Sequence, residues 1–379
     1  MKKTTIILIS ITFSLWTFGQ TDKVKGELST IDTADLTILN IYPDSFPNVS
    51  LVFKAETRKG EPVWNLTKEK MQVTENSQNC DVLAVEQISK NKAINLGIVI
   101  DHSGSMIQDV SQLYDKDGNP LFSYDANLNI ILPKSYITPI DNAKKAVKNF
   151  VSSFDSKKDF ISIIGFSRTV DKELPLTQNI TAINAIVDSM QADFSTALYD
   201  AMEAGIDQIK NADGVKVLVV LTDGQDNSSL SQWNDVVGKA NREDIPIYLI
   251  GLGDVNQDLM EQIAESTNGK FYYTESSSLN TVYAEISKQV QAFYNLVYSS
   301  PNFSSADSTR QIELSFDIDS VFLLKKPATL NLPTEVIAFL KEKEQKKKYM
   351  LNGVVASSIL ISAGVILFYY RRKKIKSRI

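Results

Sequence analysis

The residues Asp101, His102, Ser103, Gly104 and Ser105 follow directly on the apolar run Ala93–Ile100. Thr196 opens the run TALYDAM, and Asp223 closes VKVLVVLTD. Each of these pieces sets a short oxygen-bearing side chain where an apolar strand ends or a helix begins. In an open parallel α/β sheet, ligands sit in the crevice outside the carboxyl ends of the strands. Two carboxylates (Asp101, Asp223) and three hydroxyls (Ser103, Ser105, Thr196) gathered there form a hard, all-oxygen donor set suited to Mg²⁺ or Mn²⁺. His102 is the single histidine of the chain. That excludes a histidine-rich zinc site and leaves a Ser-His-Asp triad only the imidazole inside this turn. At the second position of the turn, the backbone of His102 is expected to matter more than its ring.

Together the three pieces resemble the metal-ion-dependent adhesion site of the von Willebrand factor A family, also found in integrin inserted domains. The family pattern is DxSGS, a Thr before a helix, and an Asp in a TDG turn. Here Asp101, Ser103 and Ser105, then Thr196, then Asp223 in LTDG fill all five positions. A lone DxSGS is a weak signal, since Ser and Gly are common in loops; all three parts in order are a strong one. The resemblance implies a divalent metal, Mg²⁺ or Mn²⁺, that coordinates an acidic side chain offered by a protein partner. It covers about Ala93 to Phe293 and departs from the family once. The first helix normally follows DxSGS within a few residues, whereas here helical spacing starts only near Thr138. The intervening insert, residues 108–137, contains DKDGNPLFSYDANLNIILPKSY. Its Asp-Gly and Asn-Pro pairs mark turns and its apolar runs suit a small hairpin. DKDGN opens like a calcium loop, but the closing glutamate is absent, which favours an ordinary Asp-Gly turn.

The elements that must position these residues read as strands alternating with helices. Strands are expected at Ala93–Ile100, Asp159–Phe166, Val215–Leu221, Ile245–Leu252 and Phe271–Thr274, with an edge strand near Thr169–Leu174. Helices are expected at Thr138–Phe154, Ile180–Met190, Thr196–Ala212, Leu230–Arg242, Gln257–Thr267 and Leu279–Phe293. The fold class is α/β, a doubly wound, mostly parallel sheet covered on both faces. GLGD at Gly251–Asp254 lacks the third glycine of a dinucleotide loop and comes late in the domain, so that reading is set aside. The flanks, residues 27–90 and 294–333, carry short alternating runs: Leu36–Ile41, Ser50–Ala55, Met71–Val73, Val82–Ile88, Leu296–Tyr298, Gln311–Ile318 and Ala328–Leu332. Domain termini commonly lie close together, so the two flanks are expected to pair into one β-sandwich with the α/β domain (93–293) inserted in it.

The ends of the chain place the site outside a membrane. Lys2 and Lys3, an apolar stretch from Ile6 to Phe18, and Gly19–Gln20 fit a signal peptide over 1–20. Residues 349–370 contain no charge, and 22 residues at about 1.5 Å each span a hydrocarbon core of roughly 30 Å. The tail 371–379, RRKKIKSRI, is basic and belongs in the cytoplasm. Residues 340–348 alternate Lys and Glu and read as a solvated connector. The expected topology is a single-pass membrane protein whose large N-terminal part is periplasmic or extracellular. Setting aside the six basic tail residues, Lys2 and Lys3 leaves 32 basic against 45 acidic residues, or about −13 outside the membrane. That balance excludes nucleic acid as a partner. Cys80 is the only cysteine, so no intrachain disulfide exists, which points to a bacterial envelope. No nucleophile with its base and no phosphate cradle accompanies the metal motif. The expected function is therefore a membrane-anchored, metal-dependent protein-binding or adhesion module, not an enzyme. The alternatives are a scaffold subunit whose metal only stabilises the loop, and a metal-assisted hydrolase using Asp101 or Asp223 as base.

Overall fold

The computed structural model describes residues 34–57, 59–107, 113–128, 130–193, 195–302, 304–318, 321–322 and 328–350. The expected signal peptide (1–20), all but the first two residues of the expected membrane span (349–370) and the basic tail (371–379) lie outside them. Among the described residues, no helix is long and apolar enough to cross a membrane.

Four strands precede the motif: β1 (Ala34–Ser45), β2 (Asn48–Thr57), β3 (Met71–Glu75) and β4 (Gln78–Gln87). The β3–β4 turn is Asn76-Ser77, both residues at positive φ. Two left-handed residues in a two-residue loop match the twist of the strands they join. A one-turn helix, Ile88–Asn91, leads into the α/β domain. Its strands are β5 (Ile94–Asp101), the short pair β6 (Ser123–Tyr124) and β7 (Ile130–Ile131) within the insert, β8 (Phe160–Phe166), β9 (Val170–Thr177), β10 (Val215–Thr222), β11 (Ile247–Gly251) and β12 (Lys270–Tyr273). Its helices are α1 (Pro139–Val151), α2 (Ile180–Asp188), α3 (Leu198–Ile209), α4 (Trp233–Arg242), α5 (Gln257–Ser266) and α6 (Leu279–Gln291). Back in the flank run β13 (Tyr294–Ser299), β14 (Thr309–Ile318), β15 (Val321–Phe322) and β16 (Ala328–Asn331), followed by a helix over 334–350, α7.

The central sheet has the order β12-β11-β10-β5-β8-β9, parallel except for the antiparallel edge strand β9. All eight residues of β5 are buried, as expected of a central strand covered on both faces. Alternate side chains divide between two cores. Ile94, Leu96, Ile98 and Ile100 pack with α1, α2 and α6. Val99, Leu218 and Val220 pack with α3, α4 and α5. Gly205 lets α3 press against the sheet, because a Cβ there would lie 2.7 Å from both Leu218 Cδ1 and Val99 Cγ2. The sheet is therefore doubly wound.

The flanks do combine across the inserted domain, but not as two separate sheets. β13 pairs with β2 on one side and β4 on the other. β14 pairs with β3 and β16. The ten-residue β4 joins both halves, meeting β13 along Asp81–Gln87 and β3 along Gln78–Cys80, with a register shift near Leu83. A bulge bends a strand, so one continuous antiparallel sheet curls around a single core containing Leu51, Phe53, Val73, Leu296 and Leu314. The expected β-sandwich is corrected to this bent sheet. Inside it Arg310 and Glu75 form a fully buried ion pair at 2.6 Å. Tyr298 and Ser300 donate to the Glu75 carboxylate, and Arg310 also donates to the carbonyls of Asn302 and Asp307. The segment 340–348, expected as a solvated connector, is helical and part of α7; residues 341–348 are exposed as expected, and Leu340 alone is buried against the bent sheet. Glu344 accepts from the backbone and hydroxyl of Ser305.

Two predictions test this packing. Arg310→Met should destabilise the bent sheet by about 3–5 kcal/mol in urea unfolding, because it leaves Glu75 charged and unpaired; the double change with Glu75→Leu should recover most of that loss. Ile286→Ala should cost about 2–5 kcal/mol, because Ile286 is fully buried between α6 and the sheet.

Candidate functional site

Strand order decides which loops meet. β5 and β10 are adjacent and parallel, with Ile100 opposite Leu221, so Asp101 and Asp223 emerge side by side at the carboxyl edge. After Asp101 the chain turns into a short 3-10 segment, Gly104–Ile107. Met106 fills the core there, and Ser103 and Ser105 are kept at the edge. Thr196 precedes α3 and is held from two directions. Ala197 donates its N–H to the Ser167 carbonyl, while Asn227 accepts from the Thr196 N–H and its own N–H returns to the Thr196 carbonyl.

The structure brings all five sequence-predicted residues to one place. Ser103 Oγ and Ser105 Oγ are 3.0 Å apart, and Ser105 donates to Asp223 Oδ1 at 2.6 Å. Asp101 lies beneath them and is fully buried. One of its oxygens accepts the Ser103 N–H at 2.7 Å, and the other accepts the Thr222 hydroxyl at 2.7 Å. A Cβ on Gly224 would stand 3.5 Å from Thr196 Oγ1 and 3.6 Å from Ser105 Oγ. Gly224 of the TDG turn thus lies in contact range of both the Thr196 and the Ser105 hydroxyls.

The electrostatics of the edge are uncompensated. Burial, then the charge of Asp101, pushes the Asp223 carboxyl up to about 7, against the lowering effect of its hydrogen bonds from Ser105 and the backbone. Burial also raises Asp101, opposed by Thr222 and Ser103. Among the described residues neither carboxylate pairs with a Lys or Arg. Two desolvated acids and three hydroxyls gathered at one edge fit the chemistry of a small hard cation: Ser103, Ser105 and Asp223 are linked by hydrogen bonds, the Thr196 hydroxyl lies beside Gly224 with that of Ser105, and Asp101 holds the loop through the Ser103 N–H. Among the described residues, no cluster of three or more His, Cys, Asp or Glu side chains could hold a metal, so hydroxyls must supply much of any donor set.

Several residues that build the site escaped the sequence reading. Thr222 anchors Asp101, although it is visible in LTDG as the neighbour of Asp223. The segment after it, QDNSSLS, supplies the clamp: Ser229 and Asp226 cap the N-terminus of α3, and Asp200 accepts from Leu230 and Ser231 N–H. The His102 ring is buried rather than incidental. Nδ1 donates to the Gln191 carbonyl at 2.8 Å, and Nε2 meets Asp171 Oδ1 at 2.8 Å. The Asp193 N–H also donates to the His102 carbonyl. His102 therefore staples the motif to β9 and to the loop carrying Thr196. In the insert, both oxygens of Asp115 accept within DKDGN, from the N–H groups of Asp117 and Asn119 and from the Asn119 amide. That is the closed Asp-Gly turn.

Residues 134–289 match the family model of the von Willebrand factor type A domain. This region is a von Willebrand factor type A domain. The match begins beyond most of the insert, so β5 and residues 101–105 lie outside it even though they form half of the site. A bacterial relative, an uncharacterized protein of Synechocystis, is 27% identical over 194 residues, 49% of this chain and 38% of that protein. The chain thus spans well under half of that relative. Among solved structures, BatB of Bacteroides thetaiotaomicron is 17% identical, with 52% of this chain and 99% of that one covered at a TM-score of 0.38. Proximal thread matrix protein 1 of the mussel byssus, solved with a zinc-occupied MIDAS motif, is 18% identical over 54% of this chain and 47% of its own at a TM-score of 0.41.

The raised carboxyls of the von Willebrand A domain give a pH test. A carboxyl that titrates near 7 when folded but near 4 when unfolded makes the metal-free folded state hold the extra proton between those values. Stability then falls as pH rises from about 4 to about 7 and levels off above. Asp223→Asn should flatten this slope and stabilise the metal-free protein at pH 8 by a few kcal/mol at most, since each tenfold change in proton affinity corresponds to about 1.4 kcal/mol. Denaturation midpoints measured in chelator from pH 4 to 8 check it; parallel profiles for both proteins would contradict the assignment.

Proposed function

We propose that the chain is a membrane-anchored, extracytoplasmic protein-binding module that holds Mg²⁺ or Mn²⁺ and through it coordinates an acidic side chain of a protein partner. The observation that carries this reading is the edge cluster itself: Asp101 and Asp223 buried side by side without a basic partner among the described residues, and gathered with the hydroxyls of Ser103, Ser105 and Thr196. Ser103, Ser105 and Thr196 would hold the ion through neutral oxygens, and Asp223 would hold it directly or through water. Asp101, with both oxygens already occupied, would orient Ser103 and supply charge from behind. A bound divalent ion supplies a Lewis-acid position open to an anionic oxygen.

Binding rather than catalysis is supported by the groups around the cluster. The one imidazole has both ring nitrogens engaged and is turned away toward Gln191 and Asp171. The serine hydroxyls bond each other and Asp223, and no imidazole lies among their partners to act as their base. Membrane anchorage is supported by the uncharged stretch 349–370 and the basic tail after it, together with α7, which is docked on the bent sheet through Leu340 and continues to residue 350.

Calorimetric titration is the direct test. The wild type should take up one equivalent of Mg²⁺ at pH 7.5 and gain thermal stability from it, since a ligand bound only by the folded state stabilises that state. Asp223→Ala and Asp101→Ala should lose both effects while keeping the circular dichroism of the wild type. Undiminished uptake by both variants would overturn the site.

A further inference from the structure

The insert changes what the metal face presents. Among the described residues, fifteen large apolar side chains are exposed, and seven of them lie within residues 107–137. Soluble surfaces scatter such residues singly, and their concentration marks an interaction site. Leu121 and Tyr124 are about half exposed and Leu128 is 80% exposed. Tyr114, Phe122 and Tyr124 pack edge to face, at 5.8 and 5.7 Å between ring centres, so the aromatic surface is preformed. The Asp115 carboxylate is turned inward on its own turn. The insert follows in sequence the 3-10 segment that carries Ser105, and Tyr136 near its end is fastened to that segment, donating to the Ile107 carbonyl at 2.9 Å. The loop after Asp223 exposes Leu230 almost completely, at 96%. The β6–β7 pair is a sheet of only two strands, and unpaired strand edges accept further extended chain.

We infer that the described part of the insert, residues 113–128 and 130–137, is a docking surface for an extended segment of a protein partner that carries one Asp or Glu with aromatic or branched aliphatic residues two to four positions away. The inference rests on the metal-site reading and deepens it by naming the sequence around the acid. The spacing follows from the anchorage. The insert begins at the site itself, and an extended chain advances about 3.3 Å per residue, so such a flank reaches roughly 7–13 Å from the acid. A two-stranded edge suits a strand.

Random twelve-residue peptides displayed on phage are selected on the full chain in Mg²⁺ and eluted with chelator. The same selection is run on the triple variant Leu121→Ser/Tyr124→Ser/Leu128→Ser, and Mg²⁺ uptake is titrated for both. The expected wild-type eluate is enriched in an acid with apolar neighbours within four positions. The variant should take up Mg²⁺ as the wild type does but bind those peptides at least tenfold more weakly, a difference of about 1.4 kcal/mol. Acidic peptides without apolar neighbours from the wild type, or equal affinity of the two proteins, overturn the inference. Apolar peptides held regardless of chelator also overturn it, because the surface would then act apart from the metal. A wild-type dimer lost in the variant, seen by sedimentation, overturns the choice of occupant in favour of a second copy. If the wild type takes up no Mg²⁺, the underlying reading fails with it, and the titration alone reveals that.

Discussion

The structure turns on two carboxylates that share one desolvated edge. Asp101 and Asp223 end neighbouring parallel strands, so backbone pairing, not side-chain attraction, forces them together. Their mutual repulsion and burial oppose folding of the metal-free charged state, and the fold answers with donors: the Ser103 N–H and Thr222 hydroxyl on Asp101, and the Ser105 hydroxyl on Asp223. Hydrogen bonds lower a carboxyl's pKa but bring no net charge. The remaining deficit is what a cation would supply, so under the proposed reading the same repulsion that weakens the edge would give it affinity for one. A site made this way needs rigid support, and it has it: β5 is wholly buried, and α3 is pressed close at Gly205. His102 ties the motif to both neighbouring segments.

A second constraint acts at the other side of the molecule. Inserting the α/β domain into the flank splits that flank's sequence between residues before 92 and after 293. The two pieces must recognise each other after the domain has folded between them. Strand β13, slotted between β2 and β4, does this through backbone pairing, and the Glu75–Arg310 pair adds a specific lock between β3 and β14. A buried ion pair is a poor source of net stability but is costly to break. Here its remaining polar atoms are satisfied by Tyr298, Ser300 and the carbonyls of the 299–310 loop. That loop in turn holds Glu344 of α7 through Ser305. The path from the α/β domain to α7 therefore runs through α6, β13 and this polar knot, with no long unstructured link among the described residues.

What was legible in the sequence was whatever local pattern decides. Strand β5 reads as eight apolar residues because both faces are covered. Helix α6 reads from its 3.6-residue spacing, and the five site oxygens read from motif order. Non-local matters were not legible. Two flanks of alternating residues suit a sandwich or a bent sheet equally well, and only the length of β4 with its register shift selects the latter. The Lys/Glu alternation of 340–348 looked wholly solvated because the buried contact depends on one residue, Leu340. The His102 ring was misjudged because its partners, Gln191 and Asp171, lie some 70 to 90 residues away and belong to no motif.

The insert shows why departure from a family pattern can inform as much as agreement with it. The five oxygens explain how an acid would be held, but they are blind to what surrounds that acid. Discrimination between partners is a difference of affinities and needs contacts that vary from partner to partner. The chemistry of an oxygen cluster cannot vary without losing the ion, so discrimination must come from the rim. In this chain the rim is about thirty residues spliced between Ser105 and α1. Among its described residues it is closed on itself at Asp115, braced by Tyr136, and exposes Leu121, Tyr124 and Leu128. A polar loop of the same length would have left the cluster equally intact. Under the proposed reading, the exposed aromatic and aliphatic groups answer to what approaches the site rather than to the stability of the domain that carries it.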